Sequence, residues 1–255
     1  MKDGTPVYIG SIVLERNRWA EGRKPSYRVS EWAPRFAQAG FDGIELWQNH
    51  ALFAPPEEQE ALASLPCPVR IFNSYAGFEQ DDTWEMRRYA IAFTRRYRAT
   101  GVKFNVFGPP EEWNARMRVL RDWAAQLPAD CVPLCECHGG SMLEKHDDAR
   151  RFFEEAGLER WGVIVHAMSG TAEELQPWVH DFGSSIRHVH VSVGTESRAA
   201  LCRERANLLR KGGFRGSLTI EFTQGVGGPE EDREKLFASA VADMQLVREA
   251  FAEAA

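Results

Sequence analysis

The 255-residue chain predicts an α/β protein, a single (β/α)8 barrel domain spanning residues 1–255, and three observations carry that expectation. Short apolar β-type runs alternate with helically spaced segments from end to end, the pattern of a parallel sheet with crossover helices. Eight such repeats fill about 250 residues, the usual size of a barrel and more strands than most doubly wound open sheets carry. In the second half, four successive runs each end on a residue able to bind a metal: Val132–Glu136, Gly162–His166, Ile186–His190 and Ser217–Glu221. No Pro/Gly/Ser-rich linker or internal repeat divides the chain.

The elements follow in order. A first strand at Val7–Val13 precedes a helix at Ser30–Ala39, and Gly43–Trp47 precedes Glu57–Leu65. Val69–Asn73 leads to Thr83–Ala99, where Trp84, Tyr89, Ala92, Phe93 and Tyr97 recur on one helical face. Val102–Phe107 precedes Pro110–Gln126, Val132–His138 precedes Lys145–Ala156, and Gly162–Ala167 precedes Thr171–Phe182. Ile186–Ser192 and Ser217–Phe222 are the last strands, followed by helices at Ser197–Lys211 and Glu230–Ala252. Gly40, Gly101, Gly157 and the Gly212–Gly213 pair fall where helix C-caps are wanted, and Pro110 and Pro229 fall near helix starts.

Composition narrows the function. No apolar run approaches the roughly 20 residues needed to span a bilayer, and the N-terminal residues lack a secretory core, so a cytoplasmic location without membrane attachment is expected. The five cysteines, at 67, 131, 135, 137 and 202, make a poor disulfide framework. Cys135 and Cys137 are one residue apart and alternate away from Glu136, which reads as packing. A net charge of -6 with scattered Lys and Arg argues against nucleic acid as a partner. The standard glycine-rich nucleotide-binding motifs are absent from the sequence. A homo-oligomer is compatible with the sequence.

In a barrel the catalytic groups project from the C-terminal strand ends. Glu136, His166, His190 and Glu221 therefore converge on one mouth as candidate metal ligands, and unpaired carboxylates there are costly without a cation. Two imidazoles and two carboxylates suit Mn²⁺, Fe²⁺, Co²⁺ or Zn²⁺ better than all-oxygen sites do; availability favours manganese or zinc. Glu136, Glu221 and His138 are the candidate catalytic residues, His138 sharing Glu136's side of the strand about 6 to 7 Å further out. Glu45, Asn73 and Trp47, at the ends of the second and third strands, are candidate substrate-binding residues. Trp47, Phe107 and Phe222 are candidate pocket walls. His188 reads as one layer deeper than His190, and Lys103 as a residue near the start of the fourth strand, toward the opposite end of the barrel.

The phrases Gly40–Glu45 (GFDGIE), Glu136–Gly140 (ECHGG), His188–Val191 (HVHV) and Thr219–Glu221 (TIE) give the chain a likeness over nearly its whole length to a known family. It resembles the xylose isomerase-like sugar phosphate isomerase/epimerase superfamily. The resemblance implies a TIM barrel with a divalent metal, commonly manganese, held by Glu, Asp, His and Glu at the ends of strands five to eight. Carried over, those positions are Glu136, His166, His190 and Glu221. It further implies proton exchange by the two metal-binding glutamates across an enediolate, or a related dehydratase or lyase chemistry on a cyclic polyol with His138 as the acid.

This sequence departs from the pattern twice. His166 stands where the family has Asp, with Ser169 where a His follows, and Val191-Ser192-Val193-Gly194 replaces the usual continuation with Lys-Asp. The first change removes one negative charge and shifts the expected preference toward zinc or iron. Endonuclease IV shares this barrel, but the acidic balance of the chain argues against phosphodiester cleavage. A non-catalytic sugar-binding barrel is the remaining alternative.

Overall fold

The computed structural model describes residues 4–78, 84–108, 112–157, 159–193, 198–228 and 231–254. Eight strands form a closed parallel barrel in chain order: β1 (Val7–Gly10), β2 (Gly43–Trp47), β3 (Val69–Asn73), β4 (Gly101–Phe104), β5 (Val132–Glu136), β6 (Gly162–Val165), β7 (Ile186–Ser192) and β8 (Ser217–Phe222). β8 pairs with β1, so the sheet leaves no free edge. Around it run α1 (Val29–Ala39), α2 (Gln48–Leu52), α3 (Pro56–Leu62), α4 (Trp84–Tyr97), α5 (Trp113–Ala124), α6 (His146–Ala156), α7 (Ala172–Phe182), α8 (Arg198–Lys211) and α9 (Arg233–Glu253). The chain is thus a (β/α)8 TIM barrel. Among the described residues no helix is long and apolar enough to cross a membrane.

Strand alternation divides the barrel into two environments. Residues facing out, among them Ile9, Ile44, Phe72, Phe104, Val163, Val189 and Ile220, join the large apolar layer beneath the helices. Residues facing in form a separate small plug of Tyr8, Ile71, Leu134 and Ile164, which floors the interior. Leu134 needs small neighbours on both sides. A Cβ on Gly101 would lie 2.8 Å from one Leu134 methyl, and a Cβ on Gly162 would lie 2.6 Å from the other. Above this floor the inward positions turn polar: Glu45, Asn73, Lys103, His188 and Thr219, then Glu136, His190 and Glu221.

Four strands match the sequence expectation to the residue, and four are shorter. The apolar run after Gly10 stays buried but turns into a 3-10 segment at Ser11–Leu14, because burial and not strand structure is what the run encodes. β4 ends at Phe104 instead of Phe107, β5 at Glu136 and β6 at Val165. Gly101 is the first residue of β4 and not a helix cap; the left-handed position after α4 is taken by Arg98, with φ of 53°. α4 buries Ala90, Ile91, Phe93, Thr94 and Tyr97, so its inward face is turned from the one expected, and Trp84 is 52% exposed. Gly40 (φ 99°) caps α1 and Gly157 (φ 81°) caps α6 as expected. Gly213 (φ 91°) lies just beyond α8. Pro110 and Pro229 lie outside the described residues. All five cysteines are free and buried.

The loop after β1 is pinned by a chain of buried polar groups. The Trp47 N–H donates to Ser11 Oγ at 2.8 Å, Ser11 Oγ lies 2.9 Å from His50 Nδ1, and His50 Nε2 lies 3.2 Å from Glu15 Oε2. The Ser26 and Asn17 N–H groups also donate to Glu15. Burial works to raise the Glu15 carboxyl, but these hydrogen bonds, His50 foremost, outweigh it and hold the pKa at about 2. A carboxyl depressed in the folded state stabilises fully above its unfolded pKa, and loses that contribution as pH falls toward its folded one. Glu15 should therefore contribute about 2 kcal/mol above pH 5, fading between pH 4.5 and about 2. Urea denaturation of wild type and Glu15→Gln across this range checks it: the gap between them should close as the pH falls, and a gap independent of pH would refute the assignment.

Candidate metal centre

Period-2 alternation aims Glu136, His166, His190 and Glu221 into the mouth from four neighbouring strands. One ligand-type atom from each lies within 4.8 Å of the other three. Glu136 sits at the hub: its Oε1 is 3.0 Å from His166 Nε2 and 2.9 Å from His190 Nδ1. Its Oε2 accepts from Asn105 Nδ2 at 3.0 Å and pairs with Lys103 Nζ at 2.7 Å. Glu221 Oε2 lies 3.4 Å from His190 Nδ1 and 3.9 Å from His166 Nδ1, and it is buried with no hydrogen bond among the described residues.

Charges follow from these contacts. Burial opposes ionisation of Glu136, but the Lys103 ammonium and the two histidines hold its carboxyl well below the usual range. Glu221 meets no ammonium among the described residues; burial, reinforced by Glu136 and Glu45 and only partly offset by His190 and His166, pushes its carboxyl up. His190 is drawn well above the ordinary imidazole range because Glu221 and Glu45 outweigh its burial. An orphaned carboxylate oxygen beside two imidazoles and a second carboxylate is a mixed nitrogen–oxygen donor set, and it fits a divalent ion.

A second polar layer lies beneath. His190 Nε2 faces both oxygens of Glu45, at 3.1 and 3.2 Å, and Asn73 Nδ2 donates to Glu45 Oε1 at 2.7 Å. His188 is completely buried, its Nε2 3.2 Å from Glu45 Oε2 and 2.9 Å from Thr219 Oγ1, its Nδ1 2.8 Å from Ser217 Oγ. It is thus one layer deeper than His190. Glu45 and Asn73 are 1% and 4% exposed, and Trp47 is fully buried beside Arg23 with its indole N–H donated to Tyr75 Oη. All three strand-end residues are thus buried.

The rim is formed by other groups. His138 is the outermost of the mouth histidines, its side chain 36% exposed and its Nε2 3.7 Å from Glu136 Oε2. Phe107, 42% exposed, meets it edge-on at 6.3 Å. Across the mouth Trp19, 66% exposed, leans on Phe222 at 6.2 Å. Cys135 and Cys137 face the outer apolar layer, away from Glu136.

Lys103 corrects the sequence reading. Because β4 ends early, Lys103 is next to its last residue, level with Asn73 in the register, and faces the site. Asn105, directly beyond the strand, was missed altogether. The alternation Gly101, Lys103, Asn105, counted back from the inward Glu136 on the neighbouring strand, is the signal that finds both.

No protein-family profile matches the sequence, and no curated protein matches it. Solved structures do. A xylose isomerase-like TIM barrel protein from Mycobacterium smegmatis in complex with magnesium superposes with a TM-score of 0.67 at 11% identity, covering 97% of this chain and 98% of that one. The apo 3-keto-D-glucoside 4-epimerase YcjR of E. coli gives 0.63 at 16% identity, covering 98% of each chain. The IolI protein with a bound zinc atom gives 0.66 at 11% identity, with 98% and 97% covered. The chain has the xylose isomerase-like fold. At these identities the likeness to the xylose isomerase-like barrels is one of fold, and the chemistry has to be argued from the residues.

Replacing Lys103 by Met keeps the apolar stem and removes the ammonium, leaving the buried Glu136 carboxylate with only imidazole and amide partners. Lys103→Met should lose about 3 to 5 kcal/mol of stability at neutral pH. Chemical denaturation reads this directly, and a loss below about 1 kcal/mol would show that Glu136 does not depend on the pair.

Proposed function

We propose that the protein is a divalent-metal-dependent isomerase or epimerase acting on a sugar, keto-sugar or polyol by proton transfer through an enediolate. The observation that carries this reading is the convergence of Glu136, His166, His190 and Glu221, with Glu221 Oε2 buried and unpartnered among them. The shared fold of a keto-glucoside epimerase and of metal-bound barrels supports it. Glu136, His166, His190 and Glu221 would hold the ion. Manganese or zinc suits the two-nitrogen, two-oxygen set. Once bound, such an ion polarises a carbonyl or hydroxyl oxygen and lowers the cost of a developing oxyanion.

The protein's own groups divide the remaining work. Glu221, with a free oxygen and a raised pKa, suits proton removal from a carbon next to a carbonyl. Glu136 is held at both oxygens, by two histidines on one side and by Lys103 and Asn105 on the other, so it is oriented as a ligand first. For return of the proton on the opposite face the candidates are Glu136 itself and His138 behind it. The partly exposed His138 also supports a second reading, a dehydratase or lyase on a cyclic polyol, in which it protonates the departing hydroxyl. Trp19, Phe222 and Phe107 give the rim aromatic faces suited to the C–H face of a sugar ring.

Metal analysis after equilibration with Mn²⁺ or Zn²⁺, followed by NMR of sugars and keto-sugars incubated in D2O, tests the reading. The wild type should retain one ion per chain and exchange a carbon-bound proton for deuterium. Glu221→Gln should slow that exchange by a factor of about 10² to 10⁴ while keeping its melting temperature. A wild type that retains no divalent ion, or a Glu221→Gln variant that exchanges normally, sinks the proposal.

A further inference from the structure

Glu45 was expected to touch substrate, yet it is 1% exposed and buried beneath His190. It reaches there across the barrel: β2 and β7 are not neighbours, and between them in the sheet lie β8 and β1. Gly10, Glu45's register partner on β1, carries no side chain at that level, which keeps the interior open. Both Glu45 oxygens then face a single atom, His190 Nε2, at 3.1 and 3.2 Å. The carboxylate is itself fixed from two further directions, by Asn73 Nδ2 at 2.7 Å on Oε1 and by His188 Nε2 at 3.2 Å on Oε2.

A carboxylate facing one ring nitrogen holds the ring's proton there once the other nitrogen gives its lone pair to an ion. Here the other is Nδ1, the atom 2.9 Å from Glu136 Oε1 and 3.4 Å from Glu221 Oε2. We infer that Glu45 is a positioning residue for the metal centre, acting through His190: it fixes the Nε2–H tautomer, orients the ring and makes Nδ1 a stronger donor. This rests on the metal-binding reading above.

Charge points the same way. Glu136 and Glu221 supply two negative charges to the candidate ligand set, and Lys103, 2.7 Å from Glu136, cancels one of them. Glu45 is the only other carboxylate in contact with a candidate ligand among the described residues. With it, three carboxylates against one ammonium leave two negative charges, equal to the charge of one divalent ion. His166, where the resemblance expects an aspartate, brings no charge of its own, so the third carboxylate acts from behind His190 instead of in contact with the ion.

Titration calorimetry with Mn²⁺ and with Zn²⁺ on wild type and Glu45→Gln is the test, with melting temperatures as the control for folding. Glu45→Gln should bind both ions 10- to 100-fold more weakly. Asn73→Ala, which leaves the carboxylate in place but releases one oxygen, should weaken binding less. The ¹¹³Cd resonance of the cadmium-loaded protein should move in Glu45→Gln, since it reports donor strength at the ion and is insensitive to packing elsewhere. If Glu45→Gln does not fold, Glu45→Asp and Asn73→Ala carry the same comparison. Affinities within twofold of wild type and an unmoved cadmium resonance overturn the role of Glu45 and leave the metal site standing. A wild type that binds neither ion overturns the metal reading and this inference together.

Discussion

The contact between Lys103 and Glu136 sets the terms for everything above the barrel floor. A carboxylate excluded from water in an apolar interior is unfavourable by several kcal/mol unless a cation or strong donors meet it. Lys103 comes from β4 and Glu136 from β5, and register brings them together at 2.7 Å. With that charge secured, Glu136 can gather His166 and His190 around its other oxygen, and His190 can in turn reach Glu45 on the far side. Glu221 gets no ammonium from this arrangement and faces the imidazoles of His190 and His166 instead, at 3.4 and 3.9 Å. The same interaction that settles one carboxylate as an anion leaves Oε2 of the other without a hydrogen bond among the described residues, so the two carboxylates sit in different environments.

The barrel separates these tasks by height. The apolar plug of Tyr8, Ile71, Leu134 and Ile164 closes the interior below, and its fit depends on Gly101 and Gly162 giving Leu134 room. Each layer above it is more polar and nearer solvent, from the fully buried His188 through Glu136 to the partly exposed His138. Side chains that bind, orient and contact solvent are therefore stacked along the barrel axis with little lateral overlap. Substitutions at the rim should be felt there and not in the floor.

Much of this was legible in the sequence. β2, β3, β7 and β8 were read to the residue, because each has turn residues or a change of periodicity at its ends. The four ligand candidates were found because strand ends are where inward polar residues make chemical sense. What escaped was depth. Apolar content alone does not say where a buried run stops being a strand, so the sequence predicts β1 and β4 too long and sets Lys103 toward the wrong end. The sequence sets Glu45, Asn73 and Trp47 at their strand ends but does not show that they are buried, since burial there depends on loops such as those carrying Arg23 and Tyr75. Those loops come from distant segments, and no local pattern encodes their approach.

The five buried cysteines have a practical corollary. All five thiols are buried away from alkylating reagents, and burial pushes those of Cys67 and Cys131 up to about 12 and that of Cys135 well above its ordinary value. A single cysteine introduced at the rim, at Phe107 or Trp19, would then be the one thiol open to a maleimide. A fluorophore or spin label could be mounted within sight of the mouth on an otherwise native chain, without first removing any of the five.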